Sequence, residues 1–524
     1  AGIQRIGAGS PAINAASELF DEVDLDIDAQ SREGIPDVGA DEFSDEPGLQ
    51  NGPLSAADVG PNSLIGLRPL NVSLNIPLGE DGWPELLSET GAFSDLLRLT
   101  PATGILPYEP NISFWSDYAR KSRWFYIPLG STIGYSENGN WTFPEGSVWI
   151  KHFDMETVRG SSSRTKRIET RFLVKTEFSV YGVSYRWNEE ETDATLVGED
   201  GVSFDLSVFE GTTPVAQRWS IPSRSECLAC HTLTGGEALS FNTRQLNRTQ
   251  YIDGVEQNML QYLSDHEFLN QHLDDAHALP YFARPDDPHA SLDFKARSYL
   301  AVNCAYCHQP GGTEADPFDV RPHRMLEFTK LIDTVPSINN DDDSLRIVLR
   351  GDAEKSTLYL RMVAEQGFTR MPPIATSEID PVGSELIKNW INNGLANHQF
   401  YSEWQEAIFG ELAETVGIRE NDADFDGDSN EIEFLNQTDP LSGSDSNRVG
   451  ISHQDGSTRL SIRGGHFADY QVETSIDMDN WEPATGDTGR VVTIPEGSDS
   501  VELTLQPEDI SAINQFFRVT AKQR

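Results

Sequence analysis

The chain has 524 residues, with 84 acidic against 39 basic side chains and a formal balance of -45. That length exceeds one small core and predicts two to four domains. A hydrophobic content of 37% excludes a chain disordered by composition, and the charge excludes nucleic acid as a partner and disfavours an anionic lipid surface.

Taken in chain order, residues 1–50 form an acidic leader in which Arg5 and Arg32 are the only bases. Residues 51–62 read as a linker, with Gly52, Pro53, Gly60 and Pro61. Residues 63–220 are dense in aromatics. A helix is expected between Trp83 and Leu99, followed by strands at 123–127, 147–153, 171–175 and 183–187. These predict an antiparallel β-rich domain, a sandwich or an open barrel. Residues 221–295 surround a first cysteine motif, with a helix expected over 258–271. Residues 296–400 hold a second motif, a helical stretch at 356–362 and an amphipathic closing helix from Gly383 to Asn393. A helical linker (401–420), an acidic block (421–445) and a small β domain (448–524) follow. Val472, Trp481, Phe516, Phe517 and Val519 are that domain's candidate core. No run of about 18 apolar residues exists, so no transmembrane segment is expected.

The four cysteines fall in two motifs, Cys227, Leu228, Ala229, Cys230, His231 and Cys304, Ala305, Tyr306, Cys307, His308. Two thiols three residues apart on a helical turn point to one side, and a histidine directly after them can swing beneath an iron. This is the spacing of covalent c-type haem attachment, here twice. The alternative is a four-cysteine zinc knuckle, which leaves the two adjacent histidines unexplained. Two covalently bound haem c groups are therefore expected, with His231 and His308 as proximal ligands. Covalent attachment takes place outside the cytoplasm, so a periplasmic or extracellular location is expected. Ala1, with no initiator Met, fits a processed or trimmed terminus.

Met371, in the run Arg370, Met371, Pro372, Pro373, is the candidate second axial ligand of the second haem, because flanking prolines stiffen its loop. Met325 and Met362 are rivals without such a loop. For the first haem, His152 in the aromatic region is one candidate. Met155, Met259, His266, His272, His277 and His289 are others, and five-coordinate iron remains open. Arg224, Arg244, Arg361 and Arg370 are candidate partners for haem propionates. Asp117 and Glu145 are acid–base candidates without a convincing partner.

The acidic block places Asp422, Asp424, Asp426, Asp428, Asn430 and Glu433 at positions 1, 3, 5, 7, 9 and 12 of a loop, with Gly427 at position 6. That is the oxygen spacing Ca²⁺ requires, glycine permitting the sharp turn. Its expected role is structural.

Several resemblances add to these readings. Residues 296–396 resemble a class I cytochrome c domain: haem motif, methionine loop and terminal helix occur in that order. This implies Cys304, Cys307, His308 and Met371 as its haem residues. Residues 65–396 resemble a family of bacterial dihaem proteins of uncharacterised function, through 114–118, 143–146, 167–171, 185–188, the motif at Cys227 and the methionine loop. That implies haem content and export, not a reaction. The pair of motifs is also similar to dihaem cytochrome c peroxidases, although those space their haems more widely. The leader (Gly9 to Ala15, Asp26 to Asp28, Pro36 to Phe43) resembles the closing stretch of secreted parallel β-helix proteins, which would make Ala1 a cut point in a longer precursor. The acidic block, with Thr438, Asp439 and Pro440, resembles a thrombospondin type 3 repeat. The tail is similar to small β-sandwich appendages of secreted proteins.

The leading expectation is electron transfer by an exported dihaem c-type cytochrome between extracytoplasmic redox partners, one of them basic. The alternatives are a peroxidase-like oxidoreductase with an open first haem, and a self-assembling or surface-associated scaffold.

Overall fold

In the computed structural model, residues 74–524 are described apart from 253, 314–317, 375, 446–449, 455–456, 465–467, 476–481, 484–491, 494–499, 506–515 and 524. Of the leader, only positions 10, 11, 13 and 15 are described. The rest of the leader, the 51–62 linker and Trp481 thus lie outside the described residues. Two units divide the chain: Ala1–Asn71 with Pro128–Ser131, and Val72–Ile127 with Thr132–Arg524. In the first, the Ser131 N–H donates to the Pro128 carbonyl at 3.1 Å. Everything below concerns the second, a multidomain assembly of several antiparallel sheets and several helices.

No α-helix forms over 83–99. A 3₁₀ turn at Leu87–Thr90 stops at Gly91, whose φ of 67° is left-handed, and the small hairpin β1 (Phe93–Asp95) and β2 (Thr100–Pro101) follows. β3 (Leu106–Pro107), β4 (Arg120–Tyr126), β5 (Val148–Glu156), β6 (Thr165–Lys175), β7 (Val180–Trp187) and β8 (Ala194–Leu196) then form one six-stranded antiparallel sheet in chain order. β9 (Val202–Glu210) and β10 (Thr213–Ile221) form a separate hairpin. The expected sandwich or barrel is thus a single open meander with a hairpin beside it.

Period-2 alternation gives the large sheet two distinct faces. Trp124, Val148, Ile150, Phe172 and Val174 enter one apolar cluster with Trp83, Leu87 and Tyr185. Phe125, Trp149 and Leu173, one residue out of step, enter a second with Phe241, Leu246 and Leu260. That second cluster fastens the sheet to the segment after the first cysteine motif: α2 (Thr243–Leu246), the hairpin β11 (Thr249–Ile252) and β12 (Val255–Asn258), and α3 (Met259–Asp265). α3 is shorter than expected. Asn258 caps it, accepting the N–H groups of Leu260 and Gln261, and it ends before Glu267, whose φ is 54°.

The 296–400 region is helical. α4 (Leu292–Asn303) and α5 (Thr357–Met362) pack with α6 (Pro381–Asn389), which continues as a π-helical turn, Trp390–Gly394. Ile387, Trp390, Ile391 and Leu395 fill their shared core with Tyr299 and Leu300. Gly383 permits a close helix crossing: a Cβ there would lie 2.3 Å from the Tyr299 ring. Tyr299 also donates its hydroxyl to the carboxylate of Asp380, the residue capping α6, at 2.9 Å.

α7 (Tyr401–Phe409) lies in the 401–420 segment and α8 (Asn430–Asn436) in the acidic block. Tyr401, Trp404, Phe434 and Leu435 share one core with Leu460, Ile462, Tyr470 and Val472 of the tail, against which Val519 packs. The tail has two small sheets. β14 (Ser457–Arg463) pairs with β13 (Gly450–Gln454) and β18 (Ser500–Leu505). β15 (Ala468–Ser475) pairs with β16 (Glu482–Pro483), β17 (Val492–Thr493) and β19 (Phe516–Gln523).

Candidate functional site: one cavity and one acidic loop

The first motif follows directly from β10. Ser223 caps α1 (Arg224–Cys230) with a reciprocal pair: its hydroxyl accepts the Glu226 N–H at 3.1 Å, and the Glu226 carboxylate accepts the Ser223 N–H at 2.8 Å. The helix therefore starts at a defined place and delivers Cys227 and Cys230 on its last turn, with His231 at its C-cap. The helix packs on β7 at Gly182, where even a Cβ would make only ordinary contact with the Cys227 sulfur, at 3.7 Å. His231 Nδ1 donates to the Glu237 carbonyl at 2.6 Å, since a carbonyl can only accept. That fixes the tautomer and leaves the Nε2 lone pair available. Burial drives His231 down to about 4, which keeps the ring neutral. Glu237 is itself anchored, its carboxylate paired with buried Lys175 at 2.8 Å.

The second motif follows α4, which Ser291 caps by accepting the Phe294 N–H. His308 stacks on Phe318 with centroids 4.1 Å apart and an interplanar angle of 9°. The Met371 N–H donates to the Arg361 carbonyl at 3.0 Å. Arg370 donates to the carbonyls of Ala364 (2.8 Å) and Ser377, bracing the methionine loop. The β region reaches this loop as well. Asp117 accepts the N–H groups of Ser377 at 2.7 Å and Glu378 at 3.0 Å, and the Trp115 indole donates to the Glu378 carbonyl at 3.0 Å. Asp117 and Tyr118 have φ of 49° and 63°, strained for residues with side chains. Burial pushes Asp117 up to about 6, against the two N–H donors that pull it down.

The two motifs are neighbours. Tyr306, inside the second, donates its hydroxyl to the Leu239 carbonyl, just beyond the first, at 2.7 Å. A single cavity lies between them, with about 2140 Å³ of space free of protein atoms out to its open mouth. Cys227, Cys230, His231, Cys304, Cys307, His308 and Met371 all line it. The cysteines form no disulfide. Among the described residues they form no cluster of three or more Cys or His ligand atoms within 4.8 Å of one another. Burial raises the Cys227 thiol and takes that of Cys304 to about 12.

His152 is not on this wall. It lies on the opposite face of the sheet, fully buried, with Nδ1 at 2.8 Å from the Thr170 hydroxyl and Nε2 at 3.2 Å from Asp154. Its neighbour Lys151 lines the cavity instead. Met155 and Met259 are buried in apolar clusters, and His266, His272, His277 and His289 do not line the cavity. Of the four arginines expected near the motifs, Arg361 lines it. Arg224 pairs with Tyr181 and Glu199, Arg244 with Asn138, and Arg370 with its own loop.

Sequence reasoning missed the cations of the sheet. Arg123, Lys151 and Arg171 line the cavity and stand directly opposite one another across β4, β5 and β6. Lys151 is held well below the usual lysine range, first by burial and then by Arg123, Lys121 and Arg171. The signal was present: each cation is in step with the inward-facing aromatic or aliphatic residue two positions along its strand, Phe125, Trp149 and Leu173.

The acidic loop is a second site. Asp422 accepts the N–H groups of Phe425 (2.6 Å) and Gly427 (2.9 Å), Asp424 that of Asp426, and Asp426 that of Asp428. Gly427 makes the turn with φ of 104°. Carboxylate oxygens of Asp422, Asp424 and Asp426 lie within 4.8 Å of one another. Asn430 donates its amide to the carbonyls of Val416 and Ile418, which orients its side-chain oxygen. That oxygen, one oxygen each of Asp424 and Asp426, and both of Glu433 are buried without a hydrogen-bond donor. Buried acceptors left this way are costly unless a cation takes them. Burial, then Asp424, Asp426, Asp428 and Asp422, raise Glu433 to about 8. α8 begins inside the loop, at Asn430, and carries Glu433.

Comparison of the chain with protein-family models, with curated proteins and with solved structures finds no match. Among the described residues no helix is long and apolar enough to cross a membrane.

Proposed function

We propose that the chain is an exported dihaem c-type cytochrome that passes electrons between redox partners outside the cytoplasm. The observation that carries this is the convergence of seven residues, nominated from two distant motifs and one proline-flanked loop, on the wall of one cavity. Cys227, Cys230 and His231 would hold the first haem. Cys304, Cys307, His308 and Met371 would hold the second, in a class I cytochrome c-like helical domain. Bound haem c supplies a one-electron iron couple, poised higher where methionine is an axial ligand. The chain's own part is to orient both histidines, brace the methionine loop through Arg361, Arg370 and Asp117, and keep the two motifs in contact through Tyr306 and Leu239. Direct contact between the motif segments favours relay between the two centres.

A second reading has one observation in its favour. Apart from Met362 and Met371, which flank the second motif, no histidine or methionine beyond His231 and His308 lines the cavity among the described residues. This favours a first haem without a histidine or methionine sixth ligand, as a dihaem oxidoreductase would need. Low-temperature EPR of the oxidised protein, with carbon monoxide added after reduction, separates the two. Two low-spin signals without a carbon monoxide shift support a relay. A high-spin signal or carbon monoxide binding makes the first centre reactive.

The acidic loop, in this proposal, binds one Ca²⁺ through Asp422, Asp424, Asp426, Asp428, Asn430 and Glu433, with Glu433 offering both oxygens. Because α8 contributes to the core shared with the tail, the ion would stiffen that joint.

A further inference from the structure

We propose that the cross-strand row Arg123, Lys151 and Arg171 is an anion-binding rung of the cavity that takes a carboxylate or a small inorganic oxyanion. The row follows from the register. Arg123 is the direct partner of Lys151, and Lys151 of Arg171, on three adjacent strands. Directly opposed residues on a sheet have Cβ atoms about 5 Å apart, and like charges in that arrangement repel. Lys121 adds a fourth cation on the same face of β4, its ammonium donating to the Phe114 carbonyl at 2.6 Å. Several acids answer them: Glu109 acts on Arg123, Asp117 and Asp380 act on Lys121, and Glu226 lines the same cavity. Fully buried Glu169 takes Arg171 through both its oxygens. Arg123 donates to the Ser113 hydroxyl at 3.2 Å, a neutral partner. Lys151 lies between the two arginines, its ammonium 5.0 Å from the centroid of the Phe153 ring. The rung thus sets two arginines and a lysine side by side on the cavity wall, in a chain of net charge -45.

Such an arrangement persists where an anion completes it, because charge-assisted bonds to arginine and lysine offset the repulsion. Lys151 and Arg171 act electrostatically on His231, and Arg171 on Cys227, so the anion would lie on the side of the first motif. Two sources have this chemistry: the propionates of a haem held there, resting on the proposal above, or a free small anion entering from the mouth.

The test uses the purified full-length protein with its haem content counted first, as wild type and as the Lys151→Gln and Lys151→Arg variants. Acetate and nitrite are titrated by calorimetry and by the Soret band, and the reduction potentials are measured. Saturable binding that weakens about tenfold or more in Lys151→Gln and survives in Lys151→Arg identifies a free anion. No saturable binding, but a potential shifted at one haem in Lys151→Gln and restored in Lys151→Arg, identifies a propionate. Unchanged potentials together with no saturable binding in the wild type overturn the rung. A protein without haem overturns the cytochrome proposal instead, and the calorimetric titration then decides the rung alone. Should Lys151→Gln fail to fold, Arg123→Gln with Arg123→Lys serves the same comparison.

Discussion

The carboxylate of Asp117 accepts the backbone N–H of Ser377 at 2.7 Å, joining the turn before β4 to the loop that carries Met371. With the Glu378 N–H at 3.0 Å, one side chain satisfies two donors in a segment 260 residues away. Asp117→Ala should leave both donors unpaired and cost about 1–3 kcal/mol. Equilibrium denaturation measures that loss. The same variant should weaken methionine ligation of the second haem, seen as a lowered potential at that centre.

Asp117 also gives a pH signature. Its folded-state value of about 6 lies above the ordinary 3.8, so the folded protein binds the proton more tightly. Its contribution to stability is therefore present at acid pH and is lost as pH rises from about 4 through 6. Comparing the pH dependence of unfolding in wild type and Asp117→Asn isolates it: the variant should lack this slope.

At the acidic loop, added Ca²⁺ should raise the unfolding temperature and a chelator should lower it. A ligand at 100 times its dissociation constant adds about 2.7 kcal/mol. Without the ion, Glu433, raised to about 8, makes the protein lose stability as pH climbs from about 4.5 to 8. Calcium should flatten that slope, and Glu433→Gln should weaken calcium binding tenfold or more by calorimetry.

Period-2 alternation yields a direct comparison on β5. His152→Gln should cost about 1–3 kcal/mol through its buried hydrogen bonds yet leave the haem spectra unchanged. His231→Gln should alter the first haem's spectrum. A spectral change in His152→Gln of the same size would place its side chain on the cavity wall and contradict the assigned face.

Gly383→Ala tests the helix crossing. Its Cβ would fall 2.3 Å from the Tyr299 ring, so the ring must turn away from Asp380 or α4 and α6 must separate, at about 1–3 kcal/mol. Denaturation of this variant against Gly79→Ala, where nothing lies within 4 Å, checks the figure.

What was legible in the sequence follows from how local each signal is. The two cysteine motifs, the acidic loop and the proline-flanked Met371 are short patterns legible from near neighbours in the chain, and the structure sets the motifs and Met371 on one cavity wall. Strand positions were legible from aromatic and β-branched alternation, and helix ends at Ser223 and Ser291 fit their capping residues. The face of β5 was not. Moving one residue from His152 to Lys151 changes the side of the sheet, and only the pairing of three strands settles it. The helix expected over 83–99 failed for a similar reason: Gly91 turns left-handed and Leu86 bridges to distant Thr195. The expected arginines lay near the motifs in sequence, whereas the cations on the cavity wall come largely from strands far upstream.

The most direct test of the cytochrome proposal is the intact mass and iron content of the chain produced in a bacterial host with c-type haem maturation. The account predicts two covalently attached haems and two irons per chain. Replacing Cys227 and Cys230 together, or Cys304 and Cys307 together, should each remove one. A chain that leaves this host with all four thiols unmodified and no iron would contradict it.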